Sequence, residues 1–106
     1  MNIDESAATR LSSEQRTHVL AIAKEALSNS VRHTKAAKRV VVLRQRKKAI
    51  CLEITDNGRG FSLARRRKLG MGLKNMRARA RKLRGRIAIT SVLMQGTTVT
   101  LTIPFT

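Results

Sequence analysis

Twice along this chain the apolar residues switch from helical spacing to strand-like runs, and that double switch restricts the fold more than any other feature. After Ser12-Ser13-Glu14-Gln15, where Ser12 can cap and Gln15 completes a capping box, Val19, Leu20, Ala23, Ala26, Leu27 and Val31 recur at helical spacing. A helix is therefore predicted from Ser12 to about His33. Two runs follow: Arg39 to Arg44, apolar between its ends, and Ala49 to Thr55, with Ile50, Leu52 and Ile54 on one face. The link from Gln45 to Lys48 is short enough for a hairpin. Asp56-Asn57-Gly58-Arg59-Gly60 then carries a turn signal, and residues 62 to 69 read as a basic loop. Gly70-Met71-Gly72 leads into a second helix with Leu73, Met76, Ala80 and Leu83 on one side and Gly85 as its stop. Arg86 to Ser91 and Thr97 to Ile103 supply two more strands. This order predicts an α+β fold, with helices layered on one face of a mixed, mostly antiparallel sheet.

The 106 residues suffice for one core and not for two. Residues 1–10 show no period and are expected as a flexible N-terminal segment or linker end, leaving 11–106 as the domain. Lys and Arg total 23 against 6 Asp and Glu, a formal net charge of +17, yet 42% of the chain is hydrophobic, which argues against a disordered basic tail. Trp and Tyr are absent, which removes the stacking platforms of sequence-tolerant single-strand binders. Cys51 is the lone cysteine and has no internal disulfide partner, Met1 to Arg10 lacks an apolar signal core, and the expected compartment is the cytoplasm. The apolar run from Val40 to Leu43 is far shorter than the roughly 20 residues of a membrane helix, so no membrane contact by this chain is expected.

Several residue groups carry chemistry, each beside a plainer reading. At about 100° per residue, Glu25, Asn29 and Arg32 fall opposite the apolar stripe of the first helix, giving it a wet side with a carboxylate and an amide. An amide oxygen can be the single protein ligand of a Mg²⁺ completed by phosphates, and Glu25 could orient a reacting group; the alternative is two solvated helix residues. Asp56 leaves a strand into a glycine-rich turn, where its carboxylate suits the exocyclic amine of adenine; the alternative is an Asx turn onto its own backbone. Gly70-Met71-Gly72-Leu73 opens a helix, so its N–H groups could seat phosphate; the alternative is an ordinary glycine-rich entry. A P-loop and a Rossmann fingerprint are both excluded, the latter because Asn75 stands where glycine is required. His18 and His33, about four turns apart on one helix, cannot share a metal ion. Cys51 reads as a buried, inert thiol. The basic runs Arg65–Lys68 and Lys74–Arg86 read as solvated faces or as an attraction for a polyanion.

Four segments in order complete the pattern: Glu25-Ala26-Leu27-Ser28-Asn29-Ser30-Val31-Arg32-His33, Asp56-Asn57-Gly58-Arg59-Gly60-Phe61, Gly70-Met71-Gly72-Leu73-Lys74-Asn75-Met76-Arg77 and Gly96-Thr97-Thr98-Val99. Together they resemble the N, G1, G2 and terminal motifs of the GHKL ATPases, over nearly the whole chain from about Leu11 to Pro104. Within that superfamily the chain is most similar to the catalytic ATP-binding domain of bacterial sensor histidine kinases with a short lid. The resemblance implies a two-layer Bergerat-type sandwich that binds ATP and Mg²⁺. It implies that Asn29 holds the Mg²⁺, Glu25 assists phosphoryl transfer and Asp56 accepts the adenine amine. Gly58 and Gly60 would line the base pocket, with Thr97 supporting its water network. Gly70, Met71, Gly72 and Leu73 would hold the phosphates and the end of the lid, with Arg32 or His33 as a cationic contact. The sequence departs from the pattern in the uniformly basic second helix and in Arg84-Gly85, where the family often has two glycines.

The function so implied is donation of the ATP γ-phosphoryl group to a histidine on a separate dimerisation domain, with a response regulator downstream. The cytoplasmic chain could then be part of a membrane-anchored sensor. The rival readings are a basic nucleic-acid-binding module, for which only weak, non-specific binding is expected, and a GHKL serine kinase of the anti-sigma-factor type.

Overall fold

The computed structural model describes residues 2–31, 38–58, 63–92 and 94–104, with residues 63–71 described in their backbone alone. Along them the chain runs β1 (Asn2–Ile3), α1 (Glu5–Thr9), α2 (Ser13–Asn29), β2 (Arg39–Arg46), β3 (Ala49–Asp56), α3 (Leu63–Lys82), β4 (Arg86–Val92) and β5 (Gly96–Pro104). The strands form one sheet in the order β1-β2-β3-β5-β4, with β1 parallel to β2 and the remaining neighbours antiparallel. The α+β architecture expected from the double switch of period is the one observed.

The alternation in the strands explains which face is covered. Val41, Leu43, Ile50, Leu52, Ile54, Val99, Leu101 and Ile103 are buried on the inner face, while Thr98, Thr100 and Thr102 alternate out of it. Cross-strand register arranges the inner face in rows: Leu43, Leu52, Leu101 and Ile87 in one, and Val41, Ile54, Val99 and Ile89 in the next. Ile22 of α2 and Met76 of α3 press onto these rows and are among the most completely buried side chains. Cys51 is buried too, as expected of an inert thiol.

Helix α2 begins where the capping box places it. Ser12 Oγ accepts from the Gln15 N–H at 3.1 Å, and Gln15 Oε1 accepts from the Ser12 N–H at 2.8 Å. Its buried line, however, is Val19, Ile22, Ala26 and Asn29, about a quarter turn from the stripe read in the sequence. Leu20 and Val31 belong to that expected stripe, yet are 60% and 59% exposed. The sheet covers only a narrow sector of the helix, and α3 packs on its other flank, so the side expected to be wet is largely enclosed.

Two further expectations are corrected. Residues 1–10 were expected without regular structure, but Asn2 and Ile3 pair with Val42 and Leu43, and Ala7 of α1 is fully buried. Asp4 makes this join: its N–H donates to the Leu43 carbonyl at 2.9 Å, and its carboxylate caps α1 by accepting from the Ser6 N–H. The segment 62–69 was expected as a loop with a helix opening at Gly70, but α3 starts at Leu63 and runs through Gly70 and Gly72. Leu63-Ala64-Arg65-Arg66-Arg67-Lys68-Leu69 consists of strong helix formers, and an interior glycine costs only about 1 kcal/mol relative to alanine. At its other end α3 closes with the Gly85 N–H on the Ala80 carbonyl (2.8 Å) and the Arg84 N–H on the Arg81 carbonyl (3.0 Å). Arg84, at φ 55°, rather than Gly85, takes the left-handed position of this closure.

Candidate functional site

At one end of the inner sheet face the apolar rows give way to a polar one. Arg39 of β2, Asp56 of β3, Thr97 of β5 and Ser91 of β4 are successive register partners across four strands, one row beyond Val41, Ile54, Val99 and Ile89. Asp56 and Thr97 are buried, at 7% and 6% exposure. Asp56 Oδ1 accepts from the Gly58 N–H at 2.9 Å and from the Thr97 N–H at 3.3 Å. The first of these bonds is an Asx turn, so the plainer reading of Asp56 is present in the structure; it orients the carboxylate at the strand end. Asn57 ties the turn back to Lys38, whose N–H donates to Asn57 Oδ1 at 2.8 Å.

Gly96 closes the opposite side. Its φ is 129°, and a Cβ there would overlap the Asp56 carbonyl oxygen, so the β4–β5 turn can cross the end of β3 only with hydrogen in that place. Thr97, held by this approach, meets Ser91 hydroxyl to hydroxyl at 2.8 Å. The row also reaches α2. Arg39 Nε donates to Ser30 Oγ at 2.9 Å, and Ser30, only 2% exposed, directly follows Asn29 at the end of the helix. Asn29 itself is enclosed at 9% exposure.

One turn earlier on α2, Glu25 faces α3. A Cβ built on Gly72 would overlap Glu25 Oε1, so the missing side chain of Gly72 makes the space in which the carboxylate rests. Gly70, Met71, Gly72 and Leu73 all lie inside α3 rather than at its start, so their N–H groups do not form an open helix terminus here. The structure thus brings Glu25 against Gly72, and Asp56 against Gly58 and Thr97, and links the second group to the residue after Asn29 through Arg39. Arg32, His33 and Gly60 lie outside the described residues. Sequence reading missed Arg39, Ser91 and the contact of Gly96, all of which depend on strand register.

Oxygen donors suited to Mg²⁺ are present on Asn29 and Glu25. Among the described residues no group of three or more His, Cys, Asp or Glu comes together as a cage. A single amide oxygen with phosphate and water ligands is the donor set that Mg²⁺ accepts, so the residues fit that ion in company with a nucleotide. An open groove of about 430 Å³ lies elsewhere, between α2 and the β1–β2 edge. Aliphatic side chains such as Leu20, Leu27 and Leu43 make most of its lining, together with Arg16 and Lys24. Among the described residues no helix is long and apolar enough to cross a membrane.

Residues 14–106 match the family model described as histidine kinase-, DNA gyrase B-, and HSP90-like ATPase. The sensor histidine kinase LiaS of Bacillus subtilis is 34% identical over 96 residues, covering 91% of this chain and 27% of that protein. The sensor protein VraS of Staphylococcus saprophyticus is 37% identical over 87 residues, covering 82% and 25%. The chain therefore spans about a quarter of the length of these relatives. Among solved structures, the Acinetobacter baumannii histidine kinase AdeS superposes with a TM-score of 0.74 at 21% identity, over 86% of this chain and 47% of that one. The histidine kinase domain of the Erythrobacter litoralis EL346 blue-light activated kinase gives 0.70 at 23% identity, over 87% and 45%. At these identities the likeness is one of fold.

Proposed function

Because this chain belongs to the histidine kinase-, DNA gyrase B- and HSP90-like ATPase family, we propose that it is the ATP-binding catalytic domain of a sensor histidine kinase. In this reading it donates the γ-phosphoryl group to a histidine on a separate dimerisation domain, from which a response regulator is charged. The observation that supports it most is the buried Asp56 carboxylate, oriented at the end of β3 by two backbone N–H groups. A carboxylate so placed accepts the exocyclic amine of adenine and repels the O6 of guanine. Thr97 stands beside it for the ring edge, and Gly58, with Gly60 by sequence order, would line the base pocket.

Asn29 would hold the Mg²⁺, which when bound neutralises and aligns the phosphates. Glu25 would orient the incoming nucleophile, and Gly70 to Leu73, with Arg32 or His33, would form the phosphate side. For those N–H groups to turn to phosphate, the first turns of α3 must open at Gly70 and Gly72, where the helix is intrinsically weakest. The lone, buried Cys51 and the absence of a membrane-length helix among the described residues support a cytoplasmic location.

The test is phosphoryl transfer in trans. With γ-labelled ATP and Mg²⁺ the isolated chain should stay unlabelled, because His18 lies on the same helix as Glu25 and Asn29, and a rigid helix that forms the pocket wall does not supply an in-line approach to the γ-phosphate. A cognate histidine-bearing domain added in trans should take up acid-labile label, and Glu25→Gln should slow it. Label on His18 or His33 of the isolated chain would overturn this division of labour.

A further inference from the structure

We propose that Arg39 is a positioning residue for the metal half of the site: through its bond to Ser30 it ties the end of α2 to the strand end that carries Asp56, and so holds Asn29 in line with the phosphates of a nucleotide whose base rests on Asp56. The inference rests on the reading of Asn29 as the Mg²⁺ ligand and of Asp56 as the base acceptor. Arg39 belongs to none of the four motifs that mark the family in this sequence, and it reaches the site only because β2 pairs with β3 in a register that sets it opposite Asp56.

The link can be followed bond by bond. Beyond the Arg39 and Asp56 pair, the Asn57 N–H donates to the Lys38 carbonyl at 3.2 Å and the Lys38 N–H to Asn57 Oδ1 at 2.8 Å. The start of β2 is thereby fixed to the turn that holds the Asp56 carboxylate. From there Arg39 Nε reaches Ser30 Oγ at 2.9 Å. A guanidinium has donors only, so Arg39 gives this bond and Ser30 receives it, whatever else the serine hydroxyl does. The donor is charged and the acceptor belongs to a residue only 2% exposed, two conditions that strengthen a hydrogen bond and make its loss felt.

Ser30 adjoins Asn29, so what fixes the serine side chain also fixes the end of the helix from which the amide projects. A nucleotide that bridges the two halves needs the base acceptor and the amide at one separation, and alignment set in advance is lost when either end drifts. Asp56 is secured independently, by the Gly58 and Thr97 N–H groups at 2.9 and 3.3 Å. Removing the Arg39 bond therefore leaves the base acceptor in place and loosens the other end. Its effect belongs to the part of the affinity that Mg²⁺ adds.

The experiment measures the ATP affinity of the whole chain by titration calorimetry in EDTA and in Mg²⁺, the ratio of the two being the metal-dependent gain. Glutamine carries its Nε2 donor the same number of bonds from Cα as arginine carries Nε, and methionine puts a methyl group there. Neither is charged, so any lost attraction for the triphosphate is common to both and the comparison isolates the bond. Arg39→Met should cut the gain about three- to tenfold, while Arg39→Gln should retain most of it and match Arg39→Met in EDTA. Ser30→Ala, which removes the acceptor and keeps the charge, should cut the gain as Arg39→Met does, and the double variant should lose no more than either. Equal gains in the Met and Gln variants would overturn the proposal, as would a Ser30→Ala chain with the full gain. A Met variant weaker than the Gln variant by the same factor in EDTA and in Mg²⁺ would make the bond merely structural and overturn it too. Asn29→Ala is the control for the underlying reading. If it leaves the gain intact, Asn29 is not the ligand, a result distinct from failure at Arg39 alone.

Discussion

Asp56 and Asn29 are both enclosed polar residues at the ends of elements, yet their expected contributions separate cleanly. In the proposed function Asp56 would meet the base whether or not metal is present, whereas Asn29 would act through the ion. Asp56→Asn should therefore lower ATP affinity at least tenfold in EDTA, about 1.4 kcal/mol or more, while Asn29→Ala should matter only when Mg²⁺ is added. With no Trp or Tyr in the chain to report binding, calorimetry or a labelled nucleotide is the measurement. Asp4 gives a second residue-scale expectation. Hydrogen bonds from the Ser6 hydroxyl, then from the Ser6 N–H, hold its carboxyl below the usual aspartate range. A lowered folded-state pKa stabilises above the unfolded value and loses that effect as pH falls through the folded one. Acidification below about pH 4 should thus loosen α1 and β1, visible as faster amide exchange at Ser6 and Ala7. Asp4→Asn should show no such acid step. Of the site, Asp56 and Thr97 were legible because each stands in a local motif. Arg39 and Ser91 were not, since what places them is pairing with residues distant in the chain.

At the scale of elements, the end of α3 is the most direct place to test the backbone argument. Arg84 holds a left-handed φ that costs a side-chain-bearing residue about 1 kcal/mol, so Arg84→Gly should stabilise the chain by up to that amount. The neighbouring Gly85 behaves in the opposite way. A Cβ there would sit 2.6 Å from the Thr102 carbonyl oxygen, a rigid backbone atom. Gly85→Ala should cost about 1–3 kcal/mol, with both changes read in one denaturation series. The elements themselves were unevenly legible. The four long strands were read to within a few residues because Ile50, Leu52, Ile54 in β3 and Val99, Leu101, Ile103 in β5 alternate, and Val40 to Leu43 in β2 form a short apolar run. The face of α2 was misjudged because Leu20, Leu27 and Val31 widen its apolar sector and draw the apparent centre away from Ile22 and Asn29. The start of α3 was hidden by two glycines, whose local signal outweighed the helix propensity of the residues before them. β1 and α1 are too short for any period to show.

Across the whole molecule, charge is segregated along the chain: all six acidic residues stand at or before Asp56, while Arg59 to Arg86 contains twelve Lys and Arg. Lys74, Arg77, Arg81, Lys82, Arg84 and Arg86 are exposed in the structure, on or just after α3. Such a face attracts any polyanion, but its outward residues supply almost no apolar contact. Duplex DNA should bind weakly and without sequence preference at low salt, and release near physiological ionic strength, in a fluorescence anisotropy titration. Retained, sequence-selective binding there would favour a nucleic-acid module over a kinase domain. The step from apolar rows to a polar row has a consequence for the range of its charges. Val41, Ile54, Val99 and Ile89 form a poorly polarisable wall behind Arg39 and Asp56, and a charge before such a wall directs its field away from the core. The sheet then acts as a reflector whose quality depends on the dryness of its interior. Val99→Thr, which changes polarity at nearly constant size, should reduce ATP affinity several-fold without touching the ligand, when compared with Val99→Ala at equal loss of stability.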